Sequence, residues 1–471
     1  MEQSKLVDLL KTFGTKELRE FNEFVQSPFF NKNIELISFY EHLRSLAPVF
    51  QPVRLEREAV FNALYPDKPY DDKQLNYLNN FLLKLAEQYI AYRRFSQNDL
   101  LERYQLLESY NQRNLDKHYQ FVYGQTIKQL EELPNRNHEF YHLQYALADI
   151  SNRHFLKQQI RRYDDRLQLA ADNLDQYYLA AKLKYSCEML DRKMSIAAEY
   201  EVRFADVVRQ LVEANVGLQT PPIAIYHTIL NMLLDMDNTT YFNKLVELTE
   251  QHKGHFPLDE LKDLYSYAIN YCIRRVNKGA PEFLKELFEL YLKSLDAGTL
   301  MDGGYLSPWA YKNLIGVGLR LKKFDWTEDF IREYNAKLAP EFQANALHYN
   351  LAELYYYKQD HSKALTHLNK VEFSDIYYNL DTKKMMLKIY FELDEIDALL
   401  SLLASFKMFL KRTKLISSGN KVAYLNFVQA LTLLARKERR VLPALQKMIN
   451  SPEPIGDRAW LKLMLQRVPV Y

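Results

Sequence analysis

Apolar residues recur at intervals of three and four along most of this chain, the spacing that gathers them on one face of an α-helix. In "TKELREFNEFVQS" the residues Leu18, Phe21, Phe24 and Val25 keep that interval behind Thr15, which the pattern predicts as an N-cap. Pro28 in "SPFFNKN" ends the segment, because the residue before a proline is driven out of helical geometry; Phe29 and Phe30 are expected to fold back into the core. Asn33 is placed to cap "IELISFYEHLRSL", and Asp71 or Asp72 to start a long helix. Along that helix Leu75, Leu78, Phe81 or Leu82, Leu85 and Ile90 trace one apolar face. Residues 1–98 therefore read as a bundle of about five helices, with the polar "SQNDL" at 96–100 as its boundary.

From 99 to 300, breaks at Pro134, Pro221 with Pro222, Pro257, and Gly279 with Pro281 each introduce a fresh amphipathic segment. Segments of roughly 12–20 residues are the length of one arm of a helical hairpin, so this stretch predicts degenerate hairpin repeats. No strand pattern competes, and Asp302-Gly303 lies in "LDAGTLMDGGYLSP", which reads as a loop.

The repeat becomes legible over 301–412. In "NLAELYYYKQDHSKALTHLNKV" the series Leu351, Ala352, Tyr355, Asp360, Ala364, Leu368 and Val371 resembles a tetratricopeptide repeat, a two-helix unit of about 34 residues. The same step forward meets Met385, Met386, Ile389, Asp394, Ala398 and Leu402; backward it meets Val317, Gly318, Leu321, Trp326, Phe330 and Tyr334. Phe330 and Met386 are large where that family has small residues, and Ile376 stands where it closes with proline. The resemblance implies an all-α fold of antiparallel hairpins stacked into a right-handed superhelix, with the bundle before it and capping helices over 413–471. The layout is also similar to a family of uncharacterised bacterial proteins, through "SPFFNKN", "LRLKKFDWTEDFI" and "LDTKKMMLKIYFELDEIDALLSLLASFKMFL". That resemblance brings layout and no activity.

Composition agrees with the helical reading. Across 471 residues there are 12 Gly and 16 Pro, few chain breakers, beside 35 Tyr and 26 Phe. Lys and Arg total 62 against 60 acidic residues, so the net charge of +2 gives no general field for nucleic acid or an anionic membrane. Cys187 and Cys272 both sit within apolar helical patterns and read as small core residues. The N-terminus has no basic patch followed by an apolar run, and "AYLNFVQALTLLA" at 423–435 is too short and polar to span a bilayer. These features predict a cytoplasmic chain without a membrane partner.

One string carries possible chemistry. His138, Glu139 and His142 have the His-Glu-x-x-His spacing that supplies two zinc ligands and a general base in zinc peptidases. A third ligand is required. Ala148 and Tyr145 occupy the positions where one pattern needs His and Gly, and the next Glu, Glu188 in "CEMLD", does not resemble the usual ligand helix. Asn137 is a predicted N-cap, and Phe140, Leu143, Leu147 and Ile150 share one face while His138, His142, Asp149 and Arg153 share the opposite one. The string therefore reads as a solvated helix start, with a zinc hydrolase as the alternative. A nucleic-acid-binding N-terminal bundle is a further alternative. The charge runs "RRYDDR" at 161–166 and "RKERR" at 436–440 read as solvated helix ends.

If the hairpins stack as the resemblance implies, the first helix of each lines a concave groove. Its exposed positions would be Lys312, then Tyr349, Asn350, Glu353 and Tyr356, then Lys383, Lys384 and Tyr390. Tyr with Lys and Asn suits an extended peptide, since rings supply burial while amide and ammonium groups bond a backbone or carboxylate. Related repeat proteins hold C-terminal carboxylates with Lys and Asn on these helices, which Asn350 and the Lys pair resemble. The expected role is a non-catalytic scaffold for a protein or peptide, with no cofactor.

Overall fold

The computed structural model describes residues 1–159, 162–196, 199–214, 220–372, 376–413, 416, 418–436 and 441–467. The fold is all-α and divides into two compact units, 1–178 and 179–471. The charge runs at 161–166 and 436–440 fall partly outside the described residues.

The first unit opens with α1 (Lys5–Leu10), α2 (Thr15–Gln26), α3 (Ile34–Ser45), α4 (Arg57–Leu64) and α5 (Asp72–Ser96). Their shared core includes Phe21, Phe39, Tyr40, Phe61 and Leu78, all fully buried. Asn33 and Asp71 cap α3 and α5 through their side chains. Thr15 is instead the first helical residue of α2: Gly14 holds the cap position, and its N–H donates to the Glu17 carboxylate at 3.0 Å. On α5 the buried face takes Leu82 and Tyr89, leaving Phe81 and Ile90 exposed. Phe30 stacks on Phe24 with centroids 3.9 Å apart, whereas Phe29 is 86 % exposed. Adjacent rings after the Pro28 break leave the backbone in different directions, so only one reaches the core.

A second cluster in this unit, around Leu107, Tyr119 and Ile150, is built by α6 (Asp99–Gln112), α7 (Asp116–Glu132) and α8 (His138–Lys157). Then α9 (Arg166–Ile196) runs for 31 residues, longer than a hairpin arm. Proline is missing from 135 to 220, so nothing in the sequence forces the helix to stop. The division between units falls within it.

The second unit contains α10 (Ala205–Glu213), α11 (Pro221–Leu234), α12 (Thr239–His252), α13 (Leu258–Asn277), α14 (Phe283–Asp296), α15 (Pro308–Arg320) and α16 (Phe324–Tyr334). It continues with α17 (Pro340–Tyr357), α18 (His361–Leu368), α19 (Ile376–Glu392), α20 (Ile396–Arg412), α21 (Ser418–Ala435), α22 (Leu442–Asn450) and α23 (Arg458–Arg467). Helices α11 to α20 pack as five successive pairs, and α15, α17 and α19 also pack directly on one another. Between α14 and α15 the expected loop contains a small antiparallel ribbon, β1 (Met301–Asp302) and β2 (Tyr305–Leu306), turning on Gly303 and Gly304 at φ 56° and 87°. Two consecutive positive φ values are what a tight hairpin turn demands and glycine supplies.

The last three of these hairpins close in the same way. Lys322, Gln359 and Asp394 adopt left-handed φ values of 58°, 61° and 59°. The N–H of the next residue then donates to the carbonyl five residues back: Lys323 to Gly318, Asp360 to Tyr355, Glu395 to Tyr390, at 2.9–3.0 Å. This closure satisfies carbonyls that the helix end would leave bare. The closures fall 37 and 35 residues apart, so a fixed 34-residue step slides out of register. Counted from the turns, the position of Ala364 corresponds to Thr327 and Leu399, all fully buried, rather than to Phe330 and Ala398.

Candidate functional site

The packed helices α15, α17 and α19 bring a set of charged and aromatic side chains together. Lys312 lies on α15; Tyr349, Glu353 and Tyr356 follow one another at helical spacing on α17; Asp381, Lys384 and Lys388 do so on α19. The C-terminal region adds Tyr424 on α21, Trp460 on α23 and Asp457 just before it. Lys312 Nζ pairs with Asp381 and lies 4.8 Å from the centroid of the Tyr349 ring. Asp381 Oδ1 accepts from the Tyr424 hydroxyl at 2.8 Å and has Lys384 Nζ at 3.6 Å. Lys384 and Lys388 approach Asp457 Oδ2 at 3.5 and 3.7 Å. Lys388 also sits over the rings of Tyr356 and Trp460, 4.7 and 5.6 Å from their centroids.

These groups are crowded by protein yet retain access to water: the side chains of Lys384 and Asp457 are 24 % and 29 % exposed. Such a combination describes a crevice. Burial pushes the Asp381 carboxyl up, but Lys384 and Lys312 together outweigh it and hold it below the ordinary range. Burial likewise pulls Lys384 down, and Asp457 with Asp381 more than offsets that. Glu353 differs. Among the described residues it makes no hydrogen bond or ion pair, and burial pushes its carboxyl up despite the nearby Lys312.

Beside this network a cavity of about 530 Å³ opens along Tyr356, His361, Phe391, Glu392, Trp460 and Arg467. Glu392 is its polar centre: Oε1 accepts from the Tyr356 hydroxyl at 2.5 Å and from Trp460 Nε1 at 2.6 Å, while His361 Nε2 lies 3.4 Å from Oε2. His361 Nδ1 is buried without a hydrogen-bond partner.

No protein-family model, curated protein or solved structure matches the chain.

The expected groove residues divide in two. Lys312, Glu353, Lys383, Lys384 and Tyr390 are half-buried, and burial lowers the Lys383 ammonium. Tyr349, Asn350 and Tyr356 are 5 %, 0 % and 9 % exposed. The Asn350 amide donates to the Ala346 carbonyl one turn earlier at 2.8 Å, so it is a core residue here and offers a ligand no surface. Asp381 and Lys388 were within reach of sequence reasoning, since they flank Lys384 at helical spacing. Glu392, one turn past Lys388 on α19, shared that signal, whereas Tyr424, Asp457 and Trp460 carried none, because other segments deliver them.

The His-Glu-x-x-His string occupies the first turn of α8. Asn137 accepts from the Phe140 N–H at 3.3 Å, His142 and Glu139 are exposed, and the His142 ring lies 4.8 Å from that of Tyr177. Phe140, Leu147 and Ile150 are buried on the other face. Among the described residues no group of three or more His, Cys, Asp or Glu side chains is placed to hold a metal ion. Cys187 and Cys272 are free and buried. No described helix is long and apolar enough to cross a membrane.

Proposed function

We propose that the chain is a non-catalytic protein-binding scaffold, and that a partner segment lies along the crevice formed by α15, α17 and α19. The observation that carries this reading is the line of charge across three packed helices: Lys312, Glu353, Asp381, Lys384 and Lys388, bordered by aromatic rings and partly open to water. Charges of both signs beside rings suit an extended polypeptide, whose side chains meet the charges while its apolar portions cover the rings. The reading treats the hairpins of 301–412 as tetratricopeptide-like units in a right-handed superhelix. Their common left-handed closures and the direct packing of successive first helices support that treatment. Two buried free thiols suit a reducing compartment such as the cytoplasm.

The test is affinity capture with quantitative mass spectrometry, using the full chain and a Lys312→Glu/Glu353→Gln variant shown by circular dichroism to be folded. A partner held by the wild type and lost by the variant is expected. Identical partner sets, or none above background, would remove the scaffold reading.

A further inference from the structure

The lysines at one end of the crevice are already engaged, and the engaging group comes from the chain's own C-terminal segment. Residues 451–456 lead to it along α21: the Asn426 amide donates to the Pro454 carbonyl at 2.9 Å, and the Gly456 N–H donates to the Ala423 carbonyl at 3.1 Å. A Cβ at Gly456 would stand 3.4 Å from Phe427 Cβ, so the strand of chain is seated closely. Asp457 then turns at φ 47° and directs its carboxylate to Lys384 and Lys388. One helical turn on, Trp460 donates its indole N–H to Glu392 and packs edge-on to Phe391, with centroids 5.7 Å apart.

The fit is incomplete. Both ammonium groups stand 3.5 Å or more from Asp457 Oδ2, and that oxygen is buried with no hydrogen bond. A carboxylate met only by two long ion pairs gains less from its partners than a closely paired one would. A left-handed φ at a residue other than glycine adds strain. Helix α23 itself has 10 residues and is fastened chiefly by Trp460, Leu461 and Met464. Isolated helices below about 12–15 residues are marginal in water, so α23 exists because it is docked.

We infer that α23 is a self-ligand: Asp457 and Trp460 occupy the lysine end of the crevice at rest, and a partner segment bearing a carboxylate and an indole in the same Asp-x-x-Trp arrangement displaces them. The inference rests on the scaffold reading and names the partner's chemistry. It also explains why the aromatic floor of the cavity is built around a tryptophan supplied from within. A tethered occupant competes at high effective concentration, so it keeps the crevice closed to weak ligands while a better-paired carboxylate can still enter.

The probe is a fluorescein-labelled peptide of sequence SPEPIGDRAWLKLMLQR, residues 451–467 of this chain, added to full-length protein and followed by anisotropy. An Asp457→Asn/Trp460→Ala protein, its own occupant weakened, is expected to bind the peptide at least about tenfold more tightly than wild type. Adding Lys384→Glu/Lys388→Glu is expected to abolish binding, as is placing the Asn and Ala substitutions in the peptide. Equal affinity for wild type and the weakened variant, including no binding to either, overturns the inference where circular dichroism shows both folded. Hydrogen exchange on the wild type decides independently of any variant: α23 amides are expected to open before those of α17 and α19, and exchange only with unfolding of the whole unit would refute it. Peptide exchange without a captured protein would remove the scaffold reading alone. A captured protein indifferent to Lys384→Glu/Lys388→Glu would remove this inference alone.

Discussion

The Nδ1 atoms of His348 and His367 lie 3.1 Å apart, joining α17 to α18 within one hairpin. Their ring centroids are 5.4 Å apart, so the nitrogens face each other nearly head-on and one must donate to the other's lone pair. A second proton would set two imidazolium ions against each other.

The sign of the resulting pH dependence follows. Burial, with Lys370 next, lowers His348 below its ordinary value of 6.5; burial, then His348, Lys370 and Arg332, lowers His367. As pH falls the unfolded chain takes up protons first, so stability is complete above the ordinary value and declines below it, toward the folded values. A His367→Phe variant keeps a ring to stack on Tyr355, which lies 5.5 Å away, but cannot titrate. Its melting temperature should fall less steeply than that of wild type between about pH 7 and 5. Equal slopes would show that the pair is not the responsive element.

Phe29 and Phe30 should respond differently to the same change. Phe30→Ala removes a ring stacked on Phe24 and should cost about 1–3 kcal/mol, from lost burial plus the stacking term. Phe29→Ala alters an exposed ring and should stay within about 0.5 kcal/mol. Urea unfolding of both variants checks this, and similar losses would place Phe29 in the core.

That pair shows what could be read from the sequence. Periodicity located helices and buried faces because a stripe of apolar residues has one place to go; Leu75, Leu78 and Leu85 are buried as their spacing requires. Where two large apolar residues are neighbours, as at Phe29-Phe30 and Phe81-Leu82, the pattern does not choose, and backbone direction does. Repeat register failed for a related reason. A fixed step assumes equal turns, but the hairpins close at Lys322, Gln359 and Asp394 with unequal spacing. At the candidate site, charges on α19 were legible by spacing, whereas Asp457 and Trp460 reach it from a segment that only the fold brings near.

Gly318 shows a close approach that the sequence marked only as a small residue. A Cβ there would stand 2.7 Å from Thr327 Oγ1 and 3.3 Å from the Trp326 ring. Thr327 is fully buried, and its hydroxyl donates to the Lys323 carbonyl at 2.7 Å, so it has nowhere to move. Gly→Ala in a helix normally gains about 1 kcal/mol. Overpacking of about 1–3 kcal/mol opposes that gain, so Gly318→Ala should lower the melting temperature by a few degrees at most, or leave it level. In a Thr327→Ala background, where the blocking oxygen is gone, the same change should be stabilising. A Gly318→Ala effect identical in both backgrounds would show that the contact with Thr327 does not set its sign.

Glu260 is 4 % exposed, an unusual position for a carboxylate. Its partners come from two other helices: the Tyr226 hydroxyl of α11 donates to Oε1 at 2.6 Å, and Lys184 Nζ of α9 lies 3.4 Å from the same oxygen. The arrangement ties α9, α11 and α13 together beside a cavity of about 320 Å³, which Lys184 and Tyr226 help to line. Burial, followed by the charge of Glu260, pushes the Tyr226 hydroxyl far above its ordinary range, so it remains a donor throughout the accessible pH range. Removing that donor leaves a buried acceptor short of a partner, a loss of about 1.5–3 kcal/mol for a hydrogen bond to a charged group. Tyr226→Phe should therefore be destabilising by that amount although it deletes one atom and no ring. Tyr226→Phe/Glu260→Gln should cost less than the sum of the two single changes, because in the Gln background the hydroxyl's removal loses a neutral hydrogen bond rather than one to a charged carboxylate. Denaturant unfolding of the four proteins gives the coupling directly. Strict additivity would mean that the Tyr226 hydrogen bond is not coupled to Glu260, and that the helices are joined by their apolar faces rather than by this contact.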